Sequence, residues 1–80
     1  MATTAFILIE TQVGKMGQVT GQLRGVSGIE EVHPVTGPYD VIASVNVSSL
    51  EAVGDLVTDN IHKIDGVTRT VTCLSINGGG

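Results

Sequence analysis

Apolar positions along the chain fall into short blocks whose spacing switches between the period of a strand and that of a helix. Ala5 to Thr11 (AFILIET) is an almost continuous apolar run of strand length, rich in β-branched residues and followed by Gly14. From Lys15 to Arg24, Met16, Val19 and Leu23 recur at helical spacing, with Val26 next. Lys15, Gln18, Gln22 and Arg24 fall largely off that stripe. Gly17 and Gly21 each cost about 1 kcal/mol against alanine in a helix interior. Either a neighbour packs closely against them or the helix is merely weak.

Ile29 to Thr36 (IEEVHPVT) predicts a second strand, which Pro34 assigns to a sheet edge. Tyr39 to Val47 alternates cleanly, with Val41, Ala43, Val45 and Val47 on one face. Ser48 then opens a second helix, Glu51 completing a capping box, with Leu50, Val53, Val57, Ile61 and Ile64 as its buried stripe. Asp65-Gly66 stops it, and Val67 to Ile76 forms the last strand. Residues 1–76 are thus one domain. Residues 77–80, ending in Gly78-Gly79-Gly80, form a tail expected to be disordered.

The order is βαββαβ, with a faint internal echo: Val26-Ser27-Gly28-Ile29 after the first helix resembles Ile64-Asp65-Gly66-Val67 after the second. A split βαβ pair of this kind predicts an α+β, ferredoxin-like fold, a four-stranded antiparallel sheet with two helices on one face. The other face is also apolar. Phe6 and Leu8 lie opposite Ile7 and Ile9, Ile42 lies opposite the valine row, and Val71 and Cys73 lie opposite Leu74 and Ile76. A large uncovered apolar surface marks an interface, so sheet-to-sheet dimerisation into a dimeric α+β barrel is expected.

Composition points the same way. A chain of 80 residues buries only about 60–65% of the surface its unfolded form exposes, and domains this small usually need disulfides, a metal or partner subunits. One cysteine excludes an intrachain disulfide, and His33 and His62 stand too far apart for zinc spacing. Partner subunits remain. The net charge of −4, with Lys15, Arg24, Lys63 and Arg69 scattered, argues against direct nucleic-acid binding. The apolar run Ala5 to Ile9 is too short for a signal core or membrane span. With a lone thiol, a cytoplasmic setting is expected.

Candidate chemistry is sparse. Thr36-Gly37-Pro38-Tyr39 suits a two-residue type II′ hairpin turn, with positive φ at Gly37. These residues need do no more than turn the chain. Asp40, a carboxylate just before a hydrophobic strand, either caps that turn or offers a fixed acceptor to a ligand ammonium. Thr68, Thr70 and Thr72 share a strand face, as good strand formers or as a row of hydroxyls for a polar ligand. His33 on an edge strand and His62 near a helix end, where a cation suits the dipole, read as structural. Glu30 and Glu31 face opposite ways, and Cys73 on a buried strand reads as inert. No catalytic residue, metal site or cofactor motif stands out.

Taken together, Val35-Thr36-Gly37-Pro38-Tyr39-Asp40-Val41-Ile42, Ile64-Asp65-Gly66-Val67 and Thr68-Arg69-Thr70-Val71-Thr72 resemble the effector-binding (RAM) domain of Lrp/AsnC-type regulators, over about Ala5 to Ile76. The resemblance implies a stand-alone member without the family's N-terminal helix-turn-helix. It further implies sheet-to-sheet dimers, joined into rings of eight or ten subunits, that bind an amino acid or related effector between dimers. Carried over, Gly37 and Tyr39 would supply backbone contacts, Asp40 would meet the α-ammonium, and Thr70 and Thr72 would supply hydroxyls. The implied function is a non-enzymatic oligomeric small-molecule sensor that modulates transcription regulators, through a helix-turn-helix-bearing paralogue as partner. Two other readings compete. One is a small dimeric α+β-barrel enzyme of monooxygenase or isomerase type, using His33 or Tyr39 with Asp40. The other is a purely structural oligomerisation module.

Overall fold

In the computed structural model, which describes residues 2–76, the first apolar run becomes strand β1 (Thr3–Thr11), one of the two inner strands of the sheet. The chain continues through α1 (Met16–Leu23), β2 (Ile29–Pro34), β3 (Val41–Val47), α2 (Leu50–Leu56), a π-helical turn (Val57–Ile61) and β4 (Val67–Leu74). The strands lie in the order β2-β3-β1-β4, and every neighbouring pair is antiparallel. This is the ferredoxin-like α+β architecture read from the sequence, with β2 and its terminal Pro34 at an edge.

Register explains the core. Ile7 pairs with Ala43 and Ile9 with Val41, so the period of two puts Ala5, Ile7, Ile9, Val41, Ala43 and Val45 on one face, and all are fully buried. Val19 and Leu23 of α1, Val53 and Leu56 of α2, and Val57, Ile61 and Ile64 beyond it cover them. The opposite face carries Phe6, Leu8, Ile42, Val71 and Cys73. Phe6 pairs with Cys73 and Leu8 with Val71, and Phe6 is 42% exposed in the single chain.

The second helix differs from the expectation in three respects. Its N-cap is Ser49, not Ser48, and the Ser49 hydroxyl accepts from the Ala52 N–H at 3.1 Å. Glu51 therefore lies in the first turn, where it suits the dipole, without closing a capping box. Leu50 becomes the first helical residue and is 61% exposed rather than buried, its place in the stripe taken by Leu56. The helix also widens after Leu56, the His62 N–H donating to the Val57 carbonyl at 2.9 Å.

In α1, Gly17 and Gly21 face open space: a Cβ at either meets nothing within 4 Å. The weak-helix reading is the correct one. Strands β2, β3 and β4 are each a residue or two shorter than expected at their exposed ends. The expected tail, residues 77–80, lies outside the described residues.

Candidate functional site

One end of the sheet gathers the end of β1, the β2–β3 hairpin and the entry to β4. At the hairpin, the Asp40 N–H donates to the Ile9 carbonyl at 2.9 Å, and the Asp40 carbonyl accepts from the Val35 N–H at 2.9 Å. Asp40 is thereby bound by its backbone to both neighbouring strands, and the loop spans residues 36–39 instead of two residues. Gly37 does take a positive φ, +132°, but the ladder closes at Val35 and Asp40, so the expected type II′ turn is not formed. Its Cα faces open space, whereas Tyr39 is half-buried.

The Asp40 side chain also binds inward. Its Oδ2 accepts from the Thr11 N–H at 2.8 Å and from the Thr11 hydroxyl at 3.2 Å. The carboxylate thus caps the end of β1, and both of these hydrogen bonds arrive at the same oxygen.

Across β1 lies β4. Thr70 pairs with Ile9 and Thr72 with Ile7, which places both threonine side chains on the helix-covered side of the sheet. A bulge beside Glu10 removes Thr68 from that row, and its hydroxyl donates to the Glu10 carbonyl (3.1 Å) and carboxylate (3.2 Å). The Ser75 N–H donates to the Thr4 carbonyl. By alternation, the backbone groups of Thr70 and Thr72 then face away from β1, toward the free edge of the sheet.

His62 is the residue that sequence reasoning missed. Its Nε2 lies 2.8 Å from the Thr70 hydroxyl, brought there by the π-turn. The one trace of that turn in the sequence is the repeated spacing of four through Val53, Val57 and Ile61, wider than the 3.6 of an α-helix. Beside this pair, His62, Val67, Thr68 and Arg69 line a half-open depression of about 200 Å³. The entry to β4 is anchored to α1. Lys15 Nζ lies 3.2 Å from Asp65 Oδ2, and the Gln18 amide reaches the same oxygen at 3.4 Å. The hydrogen bond and charge of Lys15, aided by Gln18, hold the Asp65 carboxyl below its ordinary range.

Not all the candidate residues are brought together. Asp40 and Thr70 flank β1 at Ile9, two strand spacings or roughly 10 Å apart, with Thr72 one pair further along. No hydrogen bond joins residues 36–40 to Thr70 or Thr72 among the described residues. His33, an acid–base candidate, is exposed and pairs with Glu31 at 3.2 Å instead of approaching Asp40. Among the described residues, no three His, Cys, Asp or Glu side chains cluster to hold a metal, and no helix is long and apolar enough to cross a membrane.

Comparison with known proteins gives this arrangement a context. The family model for the Lrp/AsnC ligand binding domain matches residues 4–78. An uncharacterised HTH-type transcriptional regulator of Pyrococcus abyssi is 38% identical over 80 residues, covering 96% of this chain and 53% of the regulator. The chain spans about half the length of the curated relatives it matches. A crystal structure from Thermus thermophilus superposes with a TM-score of 0.89 at 35% identity, covering 94% of each chain. The feast or famine regulatory protein of M. tuberculosis, solved in complex with L-methionine, shares the fold, with a TM-score of 0.78 at 24% identity over 94% of this chain and 50% of that one.

Proposed function

The chain belongs to the Lrp/AsnC ligand-binding domain family, and from that premise we propose that it is a non-enzymatic amino-acid sensor whose binding site is completed between subunits. The family is one of ligand-binding domains from transcription regulators. Gly37, Tyr39 and Asp40 of one subunit bind the effector backbone, and Thr70 and Thr72 of another supply hydroxyls.

The observation that carries this reading is the separation of the two halves of the site. The α-ammonium and α-carboxylate of one amino acid cannot bridge the roughly 10 Å between strands two apart, whereas a neighbouring subunit can bring its own β4 edge to the hairpin. Asp40 is suited to its part. Thr11 fixes one carboxylate oxygen, so the group meets an ammonium without first losing rotamer freedom. The L-methionine bound to the M. tuberculosis relative supports the effector class.

Assembly follows from the uncovered face of the sheet. Phe6, Leu8, Ile42 and Val71 form an apolar centre, and a second copy facing it buries that surface and supplies the stability a short chain lacks. These dimers then join into a ring. An effector that binds one assembly more tightly than another shifts the population between them, and a helix-turn-helix-bearing relative within the assembly carries the change to DNA. Titration calorimetry against each common amino acid tests the reading. We expect at least one to bind the folded oligomer and Asp40→Asn to abolish its binding. A folded, assembled protein that binds none refutes it.

A further inference from the structure

The depression at the entry to β4 has chemistry that the pair of hydroxyls does not account for. Its volume of about 200 Å³ lies below the roughly 300–1,000 Å³ of sites for drug-sized ligands, and suits a group of a few heavy atoms. The lining is cationic and rich in donors. Arg69 contributes a guanidinium that forms no ion pair among the described residues. Glu10 stands opposite Arg69 across the ladder, yet its carboxylate accepts from Thr68 instead.

The distribution of charge sharpens the point. The chain carries four basic side chains against eight acids. Lys15 is paired with Asp65, while Arg69 lines the depression and Lys63 follows His62 in the chain. A net acidic protein has thus set two of its few bases and one of its two histidines at one small hollow.

The His62 ring is also held in place. The π-turn fixes its backbone through the bond to Val57, and the Thr70 hydroxyl engages Nε2 at 2.8 Å. Nδ1 is left for another partner. A π-turn inside a helix frequently accompanies a functional site, and here it delivers a side chain to the rim of a polar hollow.

We propose that this depression is a receptor for a small carboxylate, bound by the Arg69 guanidinium and the His62 imidazole, with Thr70 orienting the ring. A guanidinium matches the two oxygens of a carboxylate with parallel N–H donors. In identifying the carboxylate as that of the effector, the inference rests on the sensor reading above. It assigns the acid end of the amino acid to His62 and Arg69 of the subunit whose Thr70 and Thr72 line the site.

The test is an amide-resolved NMR titration of the oligomer with sodium acetate, with sodium chloride as control. Acetate is expected to shift residues 67–70 saturably and chloride is not. Arg69→Gln weakens acetate on the order of tenfold or more, and His62→Gln roughly threefold to tenfold. Arg24→Gln, which removes a base elsewhere, leaves acetate binding as it was. Unsaturable shifts, equal shifts with chloride, or the same loss in Arg24→Gln overturn the proposal. The two readings also fail separately. Saturable acetate binding in a protein that binds no amino acid leaves the carboxylate site standing and removes the sensor. Amino-acid binding untouched by Arg69→Gln does the reverse.

Discussion

The turn after α1 and the turn before β4 follow one plan. Gly28 and Gly66 take φ of +97° and +103°. Their carbonyls accept from the Asn46 and Gln12 N–H groups at 3.0 and 2.8 Å, and the residues after them close onto Val26 and Ile64. What differs is the surroundings. A Cβ on Gly28 would meet the Leu56 Cδ1 at 2.8 Å, the far end of a flexible side chain. One on Gly66 would meet the Lys15 Cβ at 2.8 Å and the Val19 Cγ2 at 3.1 Å, atoms close to the α1 backbone. Asp65 adds an ion pair to Lys15, and Ser27, its counterpart, forms no such link. The same turn thus serves as a simple reversal in one half and as an anchor in the other. The anchored one sets the strand that carries Thr70, Thr72 and the carboxylate receptor.

Replacing each glycine tests that asymmetry most strongly. Gly66→Ala combines a left-handed backbone penalty with overpacking against α1, together about 3 kcal/mol. Gly28→Ala should cost less, about 1–2 kcal/mol, because Leu56 can rotate away. Denaturant midpoints of the two variants decide it, and equal losses would mean that the second turn is no more constrained than the first. On the free face of α1, Gly17→Ala and Gly21→Ala should each stabilise by about 1 kcal/mol, since a Cβ there meets nothing.

Helix capping gives the next effect. Ser49→Ala removes the hydrogen bond to Ala52 and should cost about 1 kcal/mol. Lys15, at the corresponding position of α1, makes no side-chain cap, so its loss should act through Asp65 alone. That smallest effect appears as a pH dependence. Folding lowers the Asp65 pKa from its ordinary 3.8. The pairing therefore stabilises above that value and is lost as the pH falls below it, through the lower folded value. Thermal melts should show a shallow, salt-sensitive drop below about pH 4 that Lys15→Met removes.

How far the sequence reveals this molecule depends on whether the determining contact is local. The alternation of Ile7 and Ile9 with Phe6 and Leu8 shows both faces of β1 without any partner, because strand period is a property of the backbone alone. The echo of Gly28 and Gly66 is legible for the same reason. Ser48 and Ser49 are adjacent candidates for one cap, and only the packing of Val53 and Leu56 selects the second. The hairpin length escapes local reasoning because Asp40 is pulled onto Ile9, a residue far away in sequence. His62 escapes it because its role depends on a widened helical turn and on a threonine from the next strand. Gly37, Tyr39, Asp40, Thr70 and Thr72 are named by resemblance, while their separation across β1 emerges only from the sheet.

That separation makes the central claim directly testable by mixing subunits. Asp40→Asn and a Thr70→Val/Thr72→Val variant are each purified, shown to be folded and to have lost binding of the amino acid that wild type binds. They are then dissociated together and reassembled in equal amounts. If each site takes its hairpin from one subunit and its threonines from another, random mixing restores about a quarter of the sites, measured as calorimetric stoichiometry. If the site lies within one chain, every mixed subunit still lacks one half. No restored binding would then contradict the account.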